Sequence, residues 1–335
     1  MIILNPSTPQ VQYNGQLFTS QYDQGHYLDR YYIYWDLSTQ CNFKCSYCYA
    51  RAEYKDDWNK IDSYQRQLLV LKALSFSDKP IFLGFHGGEP TIHPRFVDLI
   101  TESLKVLNHK DSRLYIVTNG STSVFNDIPI NKKIYLLWSC HMEFKQKYGK
   151  NYEKFLKNIQ LMKEKGFKNK VNLLLIPNKH YWNDIHYLYS KLKELDVIIH
   201  PHFIYTVNGS KEIIWDYPKE FFDEFKELNF VQCKYIFENY HEHVELTDYE
   251  LFKNDLYHFK GWLCYNNNFE IKYNGLLRRI CTNHFIDLTK DIFFFKRYKF
   301  TPMKCVSNSC LSDGVLKCLK IHDSFNINKD KDLFV

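Results

Sequence analysis

Three cysteines lie close together in the segment CNFKCSYCYA, residues 41–50, with the spacing Cys-x3-Cys-x2-Cys. They are Cys41, Cys45 and Cys48, and their thiolates could bind zinc or an iron–sulfur cluster. A structural zinc site closes with four protein ligands, so three thiolates leave it incomplete. On a 4Fe–4S cluster, three thiolates leave one iron open to a substrate or cofactor. A chance group of free thiols is the third interpretation, and the open cluster is the one that we favour.

The segment GFHGGEP, residues 84–90, is a second candidate for chemistry. Gly87 and Gly88 allow the backbone to approach a ligand closely, because neither residue carries a side chain. Glu89 can accept strong, charge-assisted hydrogen bonds from an ammonium group. Most Gly-Gly pairs are ordinary turns, but this one follows the cysteine segment by one strand–helix unit. Together, the two motifs predict a metal cluster next to a site for an ammonium-bearing ligand.

The chain around both motifs alternates between strand and helix patterns. Apolar runs predict six strands, at residues 31–37, 80–85, 113–119, 133–139, 171–177 and 197–205. Helical periodicity predicts four helices, at residues 61–74, 94–107, 152–166 and 180–195. Such alternation is typical of an α/β fold with a parallel sheet. Six units are too few for an eight-stranded barrel of about 250 residues, so we predict an open, partial (β/α)6 TIM-like barrel. Reactive residues are expected at the carboxyl ends of its strands.

The cysteine motif and the GGE turn, in this order, resemble the signature of the radical S-adenosylmethionine (radical SAM) superfamily. The resemblance covers roughly residues 29–206. It implies a 4Fe–4S cluster on the cysteine triad and binding of the cofactor's methionine amino group by Gly87, Gly88 and Glu89. Tyr47 matches the aromatic residue that family members place beside the adenine. In this family one electron from the cluster cleaves a C–S bond of S-adenosylmethionine. The products are methionine and a 5′-deoxyadenosyl radical that abstracts a hydrogen atom from the substrate.

Two further predicted strand ends carry polar residues. By the same resemblance, Asn119 in VTNG lies near the cofactor and Ser139 in WSCH contacts its ribose. Cys140 and His141 follow directly and are our candidates for catalytic residues. The thiol could return a hydrogen atom to a substrate radical, as an epimerase requires, and the imidazole could take a proton, as an oxidation requires. The alternatives are a cysteine buried as a small hydrophobe and a histidine that only forms part of the wall.

More cysteines follow near the C-terminus. Asn274-Gly275, between FEIKY and LLRRI, predicts a type I′ hairpin that brings Cys264 and Cys281 together. The pattern resembles the SPASM and twitch auxiliary-cluster domains of many radical SAM enzymes. It departs from a full SPASM domain, which has seven cysteines, because this chain has five after residue 260. The resemblance implies one auxiliary 4Fe–4S cluster, with Cys318 as a substitute ligand and zinc as the competing metal. The four ligands that we predict are Cys264, Cys281, Cys305 and Cys310.

The composition limits the class of protein. The chain has 335 residues and a formal net charge of +6, which is mild for this length and gives little support to a nucleic-acid partner. No apolar run approaches the roughly 20 residues of a membrane span, and MIILNPSTPQ lacks the features of a signal peptide, so we expect a cytoplasmic protein. We divide the chain into an N-terminal extension, a radical SAM core and a small cysteine-rich α+β domain, at residues 1–28, 29–235 and 236–335.

The resulting prediction is a radical SAM enzyme that acts on a small molecule, such as a sugar, or on a peptide. Oxidation, epimerisation and crosslinking are the outcomes that the resemblance implies, with a flavodoxin- or ferredoxin-type electron donor. About 28 residues precede the first predicted strand, fewer than the roughly 80 of a leader-binding domain, which weakens the peptide alternative. Two other classes stay open. One is a non-catalytic, metal-stabilised binding or electron-transfer protein on the same fold, and the other is a nucleic-acid-modifying radical SAM enzyme.

Overall fold

The structure is a computed structural model. It describes residues 16–19, 29–48, 64–143, 152–204, 217–228, 234–238, 243–247, 258–306, 318 and 320–321. Its strands are β1 Gln16–Thr19, β2 Tyr31–Ser38, β3 Ile81–Gly87, β4 Arg113–Thr118, β5 Ile134–Cys140, β6 Lys168–Leu175, β7 Ile198–Phe203, β8 Lys234–Glu238, β9 His243–Thr247, β10 Leu263–Cys264, β11 Asn268–Ile271, β12 Leu276–Arg279, β13 Phe285–Asp287, β14 Met303–Lys304 and β15 Lys320–Ile321. Its helices are α1 Tyr64–Ser75, α2 Phe96–Val106, α3 Glu153–Glu164, α4 Trp182–Glu194, α5 Lys219–Glu224 and α6 Phe294–Arg297.

The main sheet has nine strands in the order β13-β12-β11-β2-β3-β4-β5-β6-β7. From β2 to β7 the strands are neighbours in chain order and all pair in parallel. Helices α1 to α4 connect them, except between β4 and β5, where a short 3₁₀ turn at Val124–Asn126 lies instead. The sheet is open among the described strands, with β13 and β7 at its edges. The predicted α/β fold and partial TIM-like barrel are therefore confirmed.

One face of this sheet is covered by helices. Along β2, every second side chain is buried, as expected for a strand whose apolar positions recur with period two. Trp35 on β2 packs against Phe85 on β3, which in turn packs edge-to-face against Phe96 of α2. The positions in between are partly exposed and belong to the opposite face, where Tyr34 and His86 are in ring contact at 5.1 Å. Neighbouring residues of each strand therefore lie in different environments.

The C-terminal hairpin extends the main sheet. Strands β11 and β12 are antiparallel, and their Asn-Gly turn places Gly275 at a φ of +82°, where glycine is favoured. Strand β11 pairs in parallel with β2, from Asn268 opposite Tyr32 to Ile271 opposite Trp35. The predicted hairpin is confirmed, but the predicted type I′ turn is wrong, because that turn needs a positive φ at Asn274 as well as at Gly275 and only Gly275 has one. Strand β11 of this hairpin forms a seventh parallel strand beside β2.

Charged side chains also connect this hairpin to β2. Lys272 donates to Glu270 at 2.6 Å and lies 3.3 Å from Asp36, while Arg278 donates to the second carboxylate oxygen of Glu270. All four side chains are partly buried. Because the charges alternate, the group compensates its own burial and holds the hairpin against the carboxyl end of β2.

A second, antiparallel sheet joins distant parts of the chain. Its six strands have the order β14-β10-β15-β1-β8-β9. Strand β1, from the N-terminal extension, pairs with β15 and with β8. Each of the three segments into which we divided the chain is thus paired with another, and the division itself stays a prediction. Among the described helices, none combines the length and the apolar character of a membrane span.

Candidate metal-cluster and cofactor site

The cysteine segment follows β2 directly, at the carboxyl end of the main sheet. Cys41 accepts a hydrogen bond from the Phe43 amide at 3.3 Å, and the Cys48 amide donates to the Cys45 carbonyl at the same distance. These local bonds fold the segment into a compact loop, which we call the cysteine loop, residues 39–48. The loop keeps the three cysteines on one short stretch of backbone.

The thiols of this loop influence one another. Burial, with smaller contributions from the other thiols of the triad, raises the pKa of Cys41 and that of Cys45 to about 12. In the part of the chain that is described, no three cysteine, histidine or acidic side chains already converge as metal ligands. If these thiols lost their protons, the resulting thiolates would repel one another. A bound metal cation offsets that repulsion and so favours ionisation of the thiols. The donor set therefore fits a metal cluster with three thiolate ligands.

The GGE turn, Gly87 to Glu89, lies against the backbone of the cysteine loop. The Gly88 amide donates to the Ser38 carbonyl at 2.9 Å, and the Glu89 amide donates to the Gln40 carbonyl at 2.7 Å. A Cβ atom on Gly88 would lie 2.8 Å from the Cys41 nitrogen and closer still to the Gln40 carbonyl. The glycine is thus required for close contact between the two motifs that the sequence predicts to act together.

Glu89 is 1% exposed, and its carboxylate is held by four hydrogen bonds. Thr91 donates twice, from its amide at 3.1 Å and from its hydroxyl at 2.5 Å, and the Thr118 hydroxyl donates at 2.7 Å. These three bonds reach one oxygen, while the other accepts the Asn119 amide at 2.6 Å. Burial raises the pKa of Glu89, and the hydrogen bonds oppose this rise. The oxygen with one donor keeps a lone pair for an ammonium group.

Asn119 connects β4 to the cysteine loop. Its side-chain amide donates to the Asn42 side chain at 2.9 Å and lies 3.9 Å from the Cys41 sulfur. Thr91 and Thr118, which hold Glu89, were missed by sequence reasoning, although Thr118 immediately precedes Asn119 in VTNG. The predicted cofactor contacts of Asn119 and Ser139 stay predictions, and Ser139 lies partly exposed on β5.

The two candidate catalytic residues lie in different surroundings. Cys140 is 1% exposed and belongs to the hydrophobic core, and burial raises the pKa of its thiol far above the usual range. His141 contacts the cysteine loop, because its Nδ1 lies 2.9 Å from the Tyr47 hydroxyl and 3.3 Å from the Cys45 sulfur. The rings of His141 and Tyr47 are stacked at 5.9 Å, and burial lowers the pKa of His141 to about 4. Their catalytic roles, and the adenine contact of Tyr47, stay predictions.

Four of the C-terminal cysteines lie among the described residues. Although Cys281 is exposed, desolvation of its thiol, with smaller contributions from the Cys264 and Cys305 thiols, raises its pKa to about 11, which indicates that these three thiols interact. Cys318 is 0% exposed, and its sulfur accepts a hydrogen bond from the Asn268 side chain at 3.0 Å. Cys310 lies outside the described residues.

Comparisons with known proteins agree with this fold. The chain has a TM-score of 0.51 to Streptococcus suis SuiB bound to S-adenosylmethionine, at 14% identity over 78% of this chain and 64% of that one. It has the same TM-score to anSMEcpe with bound AdoMet, at 16% identity over 79% and 80%. At such identities the similarity concerns the fold alone. Residues 35–136 match the family model described as Radical SAM superfamily. This match includes the cysteine loop and the GGE turn.

The curated relatives match this chain over only part of their length. The chain is 26% identical over 195 residues to the Fe-coproporphyrin III synthase of Methanosarcina barkeri, covering 54% of this chain and 46% of that protein. It is 30% identical over 93 residues to the S-adenosylmethionine-dependent nucleotide dehydratase of a Fibrobacter species, covering 27% of each. The chain therefore spans less than half the length of these relatives.

Proposed function

We propose that this protein is a radical SAM enzyme whose cluster is held by Cys41, Cys45 and Cys48. The observation that carries the proposal is the contact between the cysteine loop and the GGE turn, which places three interacting thiols beside a buried carboxylate. When bound, the cluster and S-adenosylmethionine would supply a 5′-deoxyadenosyl radical that abstracts a hydrogen atom from the substrate. We further propose a flavodoxin- or ferredoxin-type electron donor and a cytoplasmic location.

The chain's own residues would bind and orient the cofactor. Glu89 would accept the methionine ammonium at its less occupied oxygen, because Thr91 and Thr118 fix the other oxygen. The buried position of this carboxylate excludes water and strengthens a charged hydrogen bond. Tyr47 would offer a flat surface to the adenine, backed by the stacked ring of His141.

We propose a peptide or a small molecule as the substrate, with oxidation, epimerisation or crosslinking as the outcome. Streptococcus suis SuiB, solved with its precursor peptide SuiA, has a similar fold, with a TM-score of 0.50 at 15% identity over 82% of this chain. That similarity supports a peptide only by analogy, and the curated relatives support small molecules equally.

The test of this function is anaerobic reconstitution followed by reduction with dithionite in the presence of S-adenosylmethionine. We expect about four irons at this site and release of 5′-deoxyadenosine, measured by mass spectrometry, with loss of both in Cys45→Ala. Candidate peptides and sugars would then be screened for faster release. A reduced, cluster-loaded protein that never releases 5′-deoxyadenosine would favour the non-catalytic alternative.

We also propose an auxiliary 4Fe–4S cluster on Cys264, Cys281, Cys305 and Cys310. The interaction between the first three thiols supports this set, and the hydrogen bond from Asn268 gives the Cys318 thiol a separate partner. We expect about eight irons per chain, falling to about four in Cys305→Ser and unchanged in the matched variant Cys318→Ser. Four irons with one zinc in the wild type, measured by elemental analysis, would refute the auxiliary cluster. Equal iron loss in both variants would refute the ligand set.

A further inference from the structure

Glu143 contacts the cysteine loop although it lies 97 positions further along the chain. It follows β5 by three residues and is 7% exposed. One carboxylate oxygen accepts the Ser46 amide at 2.7 Å, and the other accepts the Ser46 hydroxyl. Both oxygens therefore engage the same residue of the loop.

Ser46 lies in the turn between Cys45 and Cys48, so a contact to Ser46 restrains the backbone that carries both cysteines. The turn that these cysteines flank is closed by only one backbone hydrogen bond among those of the described residues, from Cys48 to Cys45 at 3.3 Å. A hydrogen bond to a carboxylate is shorter and stronger than one between neutral groups. Glu143 thus gives this turn a charge-assisted contact, through Ser46, with the segment that follows β5.

His141, two residues before Glu143, contacts the same turn through Tyr47. The two contacts fix consecutive residues, Ser46 and Tyr47, against one short segment after β5.

We propose that Glu143 is a positioning residue that fixes the Cys45–Cys48 turn and thereby retains the cluster. It acts through Ser46 and contacts neither the cluster nor the cofactor. This inference rests on the proposed function, because it assumes a cluster on the cysteine loop. Neither the cysteine motif nor the GGE turn predicts a role for this acidic residue.

The main experiment compares the rate of iron release to a chelator in anaerobically reconstituted variants. Residues that orient metal ligands typically contribute about 10- to 100-fold to metal binding, so Glu143→Ala should release iron faster by that factor. Glu143→Gln has the same shape, and its amide can accept from the Ser46 nitrogen and donate to the Ser46 oxygen. It should stay within a few-fold of the wild type. Glu102→Ala, at a partly exposed position of α2 where the side chain pairs with Lys105, is the matched control.

A second measurement uses the apo-protein and needs no cluster. Amide hydrogen exchange in residues 41–48 should be about tenfold faster in Glu143→Ala than in the wild type, because a charged hydrogen bond is lost. Circular dichroism would confirm that the variants fold. Unchanged exchange together with unchanged iron release would overturn the inference, as would a Glu143→Gln variant that behaves like Glu143→Ala. A wild type that binds no iron would instead overturn the proposed function, while apo exchange would still test the contact.

Discussion

Replacing Gly88 with alanine tests the contact between the two motifs most directly. The new methyl group would lie 2.8 Å from the Cys41 nitrogen and closer to the Gln40 carbonyl, both of which are backbone atoms. Backbone cannot rotate away as the end of a flexible side chain can. The cysteine loop must therefore move away from the GGE turn, and the hydrogen bonds to Ser38 and Gln40 must lengthen or break.

The magnitude follows from two contributions. The substitution would weaken or break two backbone hydrogen bonds, at 2.9 Å and 2.7 Å, each of which contributes about 1 kcal/mol to stability. Overpacking a well-packed site costs typically about 1–3 kcal/mol. The free energy of unfolding should therefore fall by about 3–5 kcal/mol. Displacement of Cys41 and of Glu89 should also lower both iron retention and affinity for S-adenosylmethionine.

Gly166→Ala is the matched control for this experiment. Gly166 has a φ of +80°, and no atom lies within 4 Å of a Cβ placed there, so the substitution costs only the left-handed conformation, about 1–2 kcal/mol. Urea denaturation measures stability, and iron analysis after reconstitution measures the site. We expect the control to keep its iron and Gly88→Ala to lose most of it. If Gly88→Ala matches the wild type in stability and iron content, the steric argument is wrong.

Two further predictions concern stability. Burial lowers the pKa of His93 to about 4, so the contribution of the neutral His93 to stability is complete above about pH 6.5 and is lost as the pH falls towards 4. The free energy of unfolding should therefore drop by up to about 3 kcal/mol over this window. Urea titrations at a series of pH values measure this drop, which should be smaller in His93→Gln. Glu270→Ala removes the carboxylate that Lys272 and Arg278 share, so the free energy of unfolding should fall by about 1–3 kcal/mol. The exposed control Glu220→Ala should show no measurable change. Equal urea midpoints for the two variants would contradict this prediction.

Local patterns predicted the elements of the main sheet well. Apolar runs and helical periodicity depend on neighbours a few residues apart, and each of the six predicted strands lies on an observed strand. The chain order of a parallel α/β sheet then limits which strands become neighbours. The position of the cysteine loop and of the GGE turn at one edge of the sheet follows from that order alone.

Contacts across long sequence separations were not predictable in the same way. The hairpin β11–β12 was recognisable from Asn274-Gly275, but nothing local indicates that β11 pairs with β2 or that Lys272 reaches Asp36, 236 positions away. The bond between Ser46 and Glu143 is of the same kind. An acidic residue in a polar segment has many candidate partners, and only the folded chain selects one.

These contacts explain how the fold holds a loop with three thiols, which under the proposed function would bind a cluster with one open iron. Four protein ligands would let the metal itself fix the loop, as in a structural zinc site. With three, part of the geometry must come from elsewhere. Here the GGE turn bonds to the backbone on the N-terminal side of Cys41, and Glu143 bonds to the turn after Cys45. The protein thus supports the loop on both sides by hydrogen bonds, and under the proposed function S-adenosylmethionine would take the place of a fourth thiolate.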